Sequence, residues 1–311
     1  MRTVQRYTQI GILNGHKFPV TGIAFSPDGE TLISAGDNTI KLWNLISGKL
    51  IQTLTGHADH WSESAVTSVT VSPNGQFIAS GGTDNTIRIW HLQDFLESKQ
   101  GKTHTLTGHS QGSGLAQGVR AVAFSADGTI LASGGGDKVI KLWNTTTWEE
   151  ISTLTGHSYA IASLAFSPVE RSLISTAGST MKLWKLDTYE EITFTAASAP
   201  RAVSFNANGQ TFATGGLKGA FSLWAFKIQE EVIKETLHSE EIRAIAFSSN
   251  GHFFATGSYD KTIKLWNAIT GDLINTFTGH SDAIYYLAFC PDSSILASGS
   301  ADKTIRLWKV A

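Results

Sequence analysis

Apolar and polar residues alternate in short runs along this chain, and clusters of Gly, Asp, Asn, Ser and Pro separate the runs. That is the pattern of strands joined by tight turns, with no long stretch of helical period. The last unit shows it whole. Gly279-His280 opens it, an apolar run follows over 284–289, Pro291-Asp292 turns the chain, and a second run ends at 298. A turn at 300–303 then leads into the alternating residues 304–308.

The unit recurs. Trp closes an alternating run at positions 43, 90, 143, 184, 224, 266 and 308, in phrases such as TIKLW, TIRIW, VIKLW, TMKLW and AFSLW. Turn phrases of the FSPDG, VSPNG or FSADG kind stand ahead of them, with ISAG, IASGG, LASGG or FATGG between. Seven copies leave no domain-sized segment over. Repetition at this period marks units that cannot bury their apolar faces alone and must pack on their neighbours.

The Gly-His opening, the Ser/Thr-Gly phrase, the Asp turn and the closing Trp resemble WD40 repeats. The FSPDG and GHS wording is most similar to prokaryotic, especially cyanobacterial, members. The resemblance implies an all-β fold: one seven-bladed β-propeller domain over 1–311, each blade a four-stranded antiparallel sheet. It also implies how the ring closes. The chain ends three residues after Trp308, and the segment from about 4 to 13 resembles the outer-strand segments 50–54 and 273–277. In this family an N-terminal strand completes the last blade, which would otherwise keep an open edge.

Composition changes the picture only by exclusion. A length of 311 residues would by itself allow two domains, which one ring replaces. Lys and Arg number 24 against 26 Asp and Glu, so nothing in the overall charge points to a nucleic-acid partner. No apolar run is long enough to span a membrane, and the first residues lack the apolar core of a secretory signal. The single Cys290 excludes an internal disulfide and the cysteine-rich zinc sites. A soluble, cytoplasmic protein, monomeric by itself and without metal or cofactor, is the expectation.

Ser, His and Asp recur in a way that tempts a hydrolase reading. The sets are His57, Ser80, Asp84, Trp90; His109, Ser133, Asp137, Trp143; His238, Thr256, Asp260, Trp266; and His280, Ser298, Asp302, Trp308. One active site needs one triad, whereas here four stand around a ring. In the family this set is a structural relay from indole to hydroxyl to imidazole to carboxylate, and such groups are costly to bury unbonded. Repeat one is a residue shorter between Phe25 and Trp43, which predicts a misplaced Asp37. Repeat four keeps His157 and Ser175 but has no Asp in its turn, and repeat five has Ser198 and Lys218 where His and Asp are expected. These repeats are expected to rely on apolar packing and to be the soft part of the ring.

For a partner, the resemblance points to the face that gathers the Gly-His loops and Asp turns. His57 stands nine positions before Val66 and His109 ten before Val119, against four from His280 to Ile284. The first insert carries His60, Trp61 and Glu63, with Trp61 as a candidate anchor. A third insert, after Trp90, is expected on the opposite face as a solvated loop or short helical turn. In related propellers the residue four before each first-strand Phe (or Val71) lines the channel mouth. Here that series is Thr21, Thr67, Arg120, Ala162, Arg201, Arg243 and Tyr285. Three arginines and a tyrosine suit carboxylate or phosphate, so acidic or phosphorylated peptides are candidate ligands unless Glu240, Glu241 and Asp282 neutralise the arginines. Phe18, Tyr159 and Tyr259 are expected on the same face. The main reading is a non-enzymatic scaffold for partner proteins. A propeller enzyme or cofactor binder would need unrepeated carboxylates or metal ligands on the axis, and the sequence offers none.

Overall fold

The computed structural model describes residues 7–57, 66–98, 100–112, 117–196, 198–227 and 229–310. Seven four-stranded antiparallel sheets follow one another, six of them laid out in chain order from the inner strand to the outer. Blade one comprises Val20–Phe25, Thr31–Gly36, Thr39–Asn44 and Leu50–Thr55. Inner strands of blades two to six begin at Val66, Val119, Ser163, Pro200 and Ile242. Blade seven takes Ile284–Phe289, Ile295–Ser300 and Thr304–Lys309 from one end of the chain and Gln9–Asn14 from the other. Ile12 pairs with Arg306 and Leu13 with Ile305 across that junction. Each inner strand lies against the next, and that of blade seven lies against that of blade one, so the ring is closed.

Burial is greatest at the second strand of a blade and least at the outer one. The second strand of blade one is buried at all six residues, whereas the outer strand Glu230–Thr236 of blade five is exposed at all seven. The Ser/Thr-Gly phrase that ends the second strands has a packing reason. A Cβ on Gly134 would stand 2.5 Å from Ile161, on Gly257 2.6 Å from Ile284, and on Gly299 2.7 Å from Val20. The branched residue that opens the next blade therefore rests on bare backbone, and a side chain there would separate the blades.

Blade four departs from this scheme. Thr176 stands where its neighbours carry Gly, and its hydroxyl and that of Ser172 are buried without a hydrogen-bond partner among the described residues. On the far face, Pro27 of blade one meets Gly75 of blade two, and Pro73 of blade two meets Gly128 of blade three. Ala126 and Glu170 take those places at the next junction. A cleft of about 320 Å³ opens there, lined by Ile130, Phe166, Pro168, Val169 and Leu186.

The segment after Trp90 is more than a solvated loop. It forms the helix Leu92–Glu97, whose Leu92 and Phe95 are buried. The Phe95 ring packs edge-on against Trp90 at 5.9 Å, and Gly101 comes close enough to leave no room for a Cβ. An apolar spacing of three residues inside the insert was the signal for it.

Candidate functional site

Hydrogen bonding organises the face that carries the Gly-His loops. In blade three, Trp143 Nε1 donates to Ser133 Oγ at 2.8 Å, Ser133 donates to His109 Nε2 at 2.8 Å, and His109 Nδ1 donates to Asp137 at 2.9 Å. The same chain links Trp90, Ser80, His57 and Asp84 at 3.0, 2.8 and 3.1 Å. It links Trp266, Thr256, His238 and Asp260 at 3.0, 2.8 and 2.8 Å, and Trp308, Ser298, His280 and Asp302 at 2.8, 2.7 and 2.7 Å. An indole N–H can only donate and a carboxylate can only accept, so a neutral imidazole with its proton on Nδ1 would carry the chain from one to the other. Burial lowers the pKa of His238 and His280 despite their carboxylates, which favours that neutral form.

Asp37 is not misplaced. Trp43, Ser34, His16 and Asp37 form a complete chain at 2.8, 2.7 and 3.2 Å. The shortened turn holds only two residues between Gly36 and Thr39, and Asp37 takes a left-handed φ of 57°. That conformation, which Asp tolerates, swings the carboxylate back under His16. In blade four the turn residue is Gly178, and the Tyr159 ring lies within contact distance of it. His157 donates to Thr180 Oγ1 at 3.3 Å instead, while Trp184 and Ser175 keep their places. Burial, and then repulsion from Lys182, bring the His157 pKa down to about 4.

Blade five retains only the bond from Trp224 to Thr214, at 3.1 Å. Aromatic contact stands in for the rest: Phe212 stacks on Trp224 at 5.9 Å, and Phe226 meets Phe205 edge-on at 5.1 Å. Sequence reasoning passed over one further member. Thr86, Thr262 and Thr304 each donate to the relay aspartate of their blade at 2.6–2.7 Å. The DNT and DKT phrases carried that signal.

At the centre of this face, the seven equivalent inner-strand residues line one cavity of about 130 Å³: Thr21, Thr67, Arg120, Ala162, Arg201, Arg243 and Tyr285. Of the three acids expected to oppose the arginines, Glu241 alone forms an ion pair with them among the described residues. Its Oε1 lies 3.5 Å from Arg201 Nε. Arg120 and Arg243 have no ion pair among the described residues. Burial lowers the Arg120 pKa, and repulsion from Arg243 and Arg201 adds to it. Tyr285 leans on Tyr259 with ring centres 5.7 Å apart, and burial followed by that contact raises its pKa.

Tyr159 is exposed, Tyr259 partly so, and Phe18 is half-buried with Lys303 Nζ 5.9 Å from its ring. His60, Trp61 and Glu63 lie outside the described residues. So do the central positions of the blade-three insert. Among the described residues no group of three His, Cys, Asp or Glu could hold a metal, and no helix is long and apolar enough to cross a membrane.

The model of the family described as "WD domain, G-beta repeat" matches residues 7–44, 48–91, 100–144, 148–185, 231–267 and 271–309. It passes over most of blade five, the blade without His and Asp. The chain is 30% identical over 219 residues to "Periodic tryptophan protein 2" of Arabidopsis thaliana, across 68% of this chain and 22% of that protein. It is 30% identical over 204 residues to "Nuclear distribution protein PAC1-2" of Uncinocarpus reesii, across 58% and 42%. It is 28% identical over 209 residues to "Pre-mRNA-processing factor 19" of Oryza sativa, across 66% and 38%. The chain thus matches less than half the length of each. All three are eukaryotic, so these relatives lend no support to a specifically prokaryotic likeness.

Proposed function

This chain belongs to the WD40 repeat family, and we propose that it is a non-enzymatic interaction propeller whose working surface is the face around the arginine-lined mouth. The observation that carries the reading is the convergence of Arg120, Arg201 and Arg243 in one cavity with a single carboxylate paired to them among the described residues. Free guanidinium groups in a recess favour an anionic guest, and the preferred partner is an acidic or phosphorylated protein segment. Tyr159, Tyr259, Tyr285 and Phe18 supply apolar contact around it. A rigid ring presents these groups with little ordering on binding, which favours affinity. The names of the relatives place them in different processes, which accords with a shared frame and divergent surfaces. A central-channel enzyme is disfavoured because the Asp and His pairs belong to repeated buried relays. A monomeric, cytoplasmic protein is part of the same proposal.

The test is affinity capture from native lysate with the wild type beside an Arg120→Glu, Arg201→Glu, Arg243→Glu variant that melts cooperatively. Partners absent only from the variant support the mouth as the binding site. Equal capture by both moves recognition to the His60–Trp61 insert or the opposite face.

A further inference from the structure

We propose that the mouth is a receptor for one phosphate monoester on a side chain of the partner, a refinement that rests on the mouth being the acidic-partner site. Charge matching is the first reason. Three arginines stand over the cavity and Glu241 occupies one of them, so two guanidinium charges are left without a carboxylate among the described residues. A carboxylate side chain brings a single charge and leaves the second cation unmatched. A phosphate monoester brings close to two, with three acceptor oxygens. Arg120 and Arg243 come from different blades and can approach such a group from separate sides, which three tetrahedrally disposed oxygens serve better than the two coplanar oxygens of a carboxylate.

The shape of the cavity is the second reason. Beneath the arginines, Val122, Leu164, Val203, Ile245 and Leu287 form an aliphatic belt. Four of the five also line a cavity of about 520 Å³ at the opposite mouth, so the belt divides the channel. A charged group cannot pass such a belt without losing its solvation, so the guest enters tip first and stops. A recess of about 130 Å³ has room for one phosphate above the belt. Two unpaired guanidinium groups match one phosphate and not the several of a multiply phosphorylated ring, which favours a peptide side chain over a lipid headgroup. Tyr285, which leans on Tyr259, lines the cavity with Arg243.

The experiment is fluorescence anisotropy with three labelled peptide pools, identical in their randomised flanks, that carry serine, glutamate or phosphoserine at the centre. The phosphoserine pool should bind at least about tenfold tighter than the glutamate pool, the factor of one charge-assisted hydrogen bond, and the serine pool should not bind. Arg120→Met and Arg243→Met should each weaken phosphoserine binding by about tenfold while melting cooperatively. Glu241→Gln should tighten it, a gain that a merely structural role for Glu241 would not produce. Equal binding of the glutamate and phosphoserine pools overturns the phosphate assignment and leaves the acidic-partner reading standing. No binding of either pool overturns both. Binding to phosphatidylcholine vesicles only when they contain phosphatidylinositol phosphate, with no peptide bound, overturns the peptide source.

Discussion

Two kinds of polar residue on one face obey opposite rules. The relay hydroxyls are buried and fully bonded: Ser133 takes a hydrogen from Trp143 and gives one to His109. Ser133→Ala orphans both partners and should cost about 1–3 kcal/mol, whereas Thr214→Val in blade five, where no His follows, orphans only Trp224 and should cost less. Urea denaturation of the two variants decides this; equal losses would mean that the His link carries little. Protonation offers a second check. His157, held near pKa 4, is lowered from 6.5, so its contribution is whole above about pH 6.5 and is lost as pH falls toward 4. At pH 5 that loss is about 2 kcal/mol. His157→Leu should therefore be less stable at pH 7.5 yet lose less stability between pH 7.5 and 5; parallel losses would refute the assignment. For Asp84, burial alone would raise the pKa, but the His57 hydrogen bond and charge prevail and hold it near 2. Its contribution is lost only below about pH 4.

At the level of strands and turns, the repeat made most of the frame legible. Trp positions located every third strand, and the likeness of residues before Gly15 to outer strands anticipated the strand Gln9–Asn14 on blade seven. The seven mouth residues were legible for the same reason, since one position per repeat becomes one ring of side chains. What escaped the sequence depended on local backbone. A turn one residue short looked like a broken relay in blade one, yet the left-handed Asp37 restored it. Pairing with Glu241 instead of Glu240 or Asp282 likewise depends on side-chain reach that spacing does not report. Removal of residues 1–14 should strip blade seven of its outer strand and lower the melting temperature sharply, and an unchanged melt would count against closure. Hydrogen exchange should find blade four less protected than blade three, because the Thr176 and Ser172 hydroxyls are buried there without a partner among the described residues and the junction with blade three holds a cleft.

Over the whole molecule, a formal charge of −2 is a sum that describes neither face. Lys138, Lys261 and Lys303 occupy left-handed turn positions, with φ of 70°, 72° and 72°, on the face that carries the arginine mouth. They lie exposed, whereas the relay aspartate side chains beside them are largely buried. Capture of an acidic partner should therefore slow steeply with added salt while dissociation changes less, which stopped-flow association at several ionic strengths reports. The central claim is a division of labour: the relays and interlocking glycines hold the ring, and the arginines serve binding at some expense of stability. A thermal melt of the ligand-free Arg120→Met, Arg243→Met variant tests it most directly. Removal of two mutually repelling, unpaired cations should leave the melting temperature at or above that of the wild type. A fall of several degrees would make the arginines part of the frame and contradict the account.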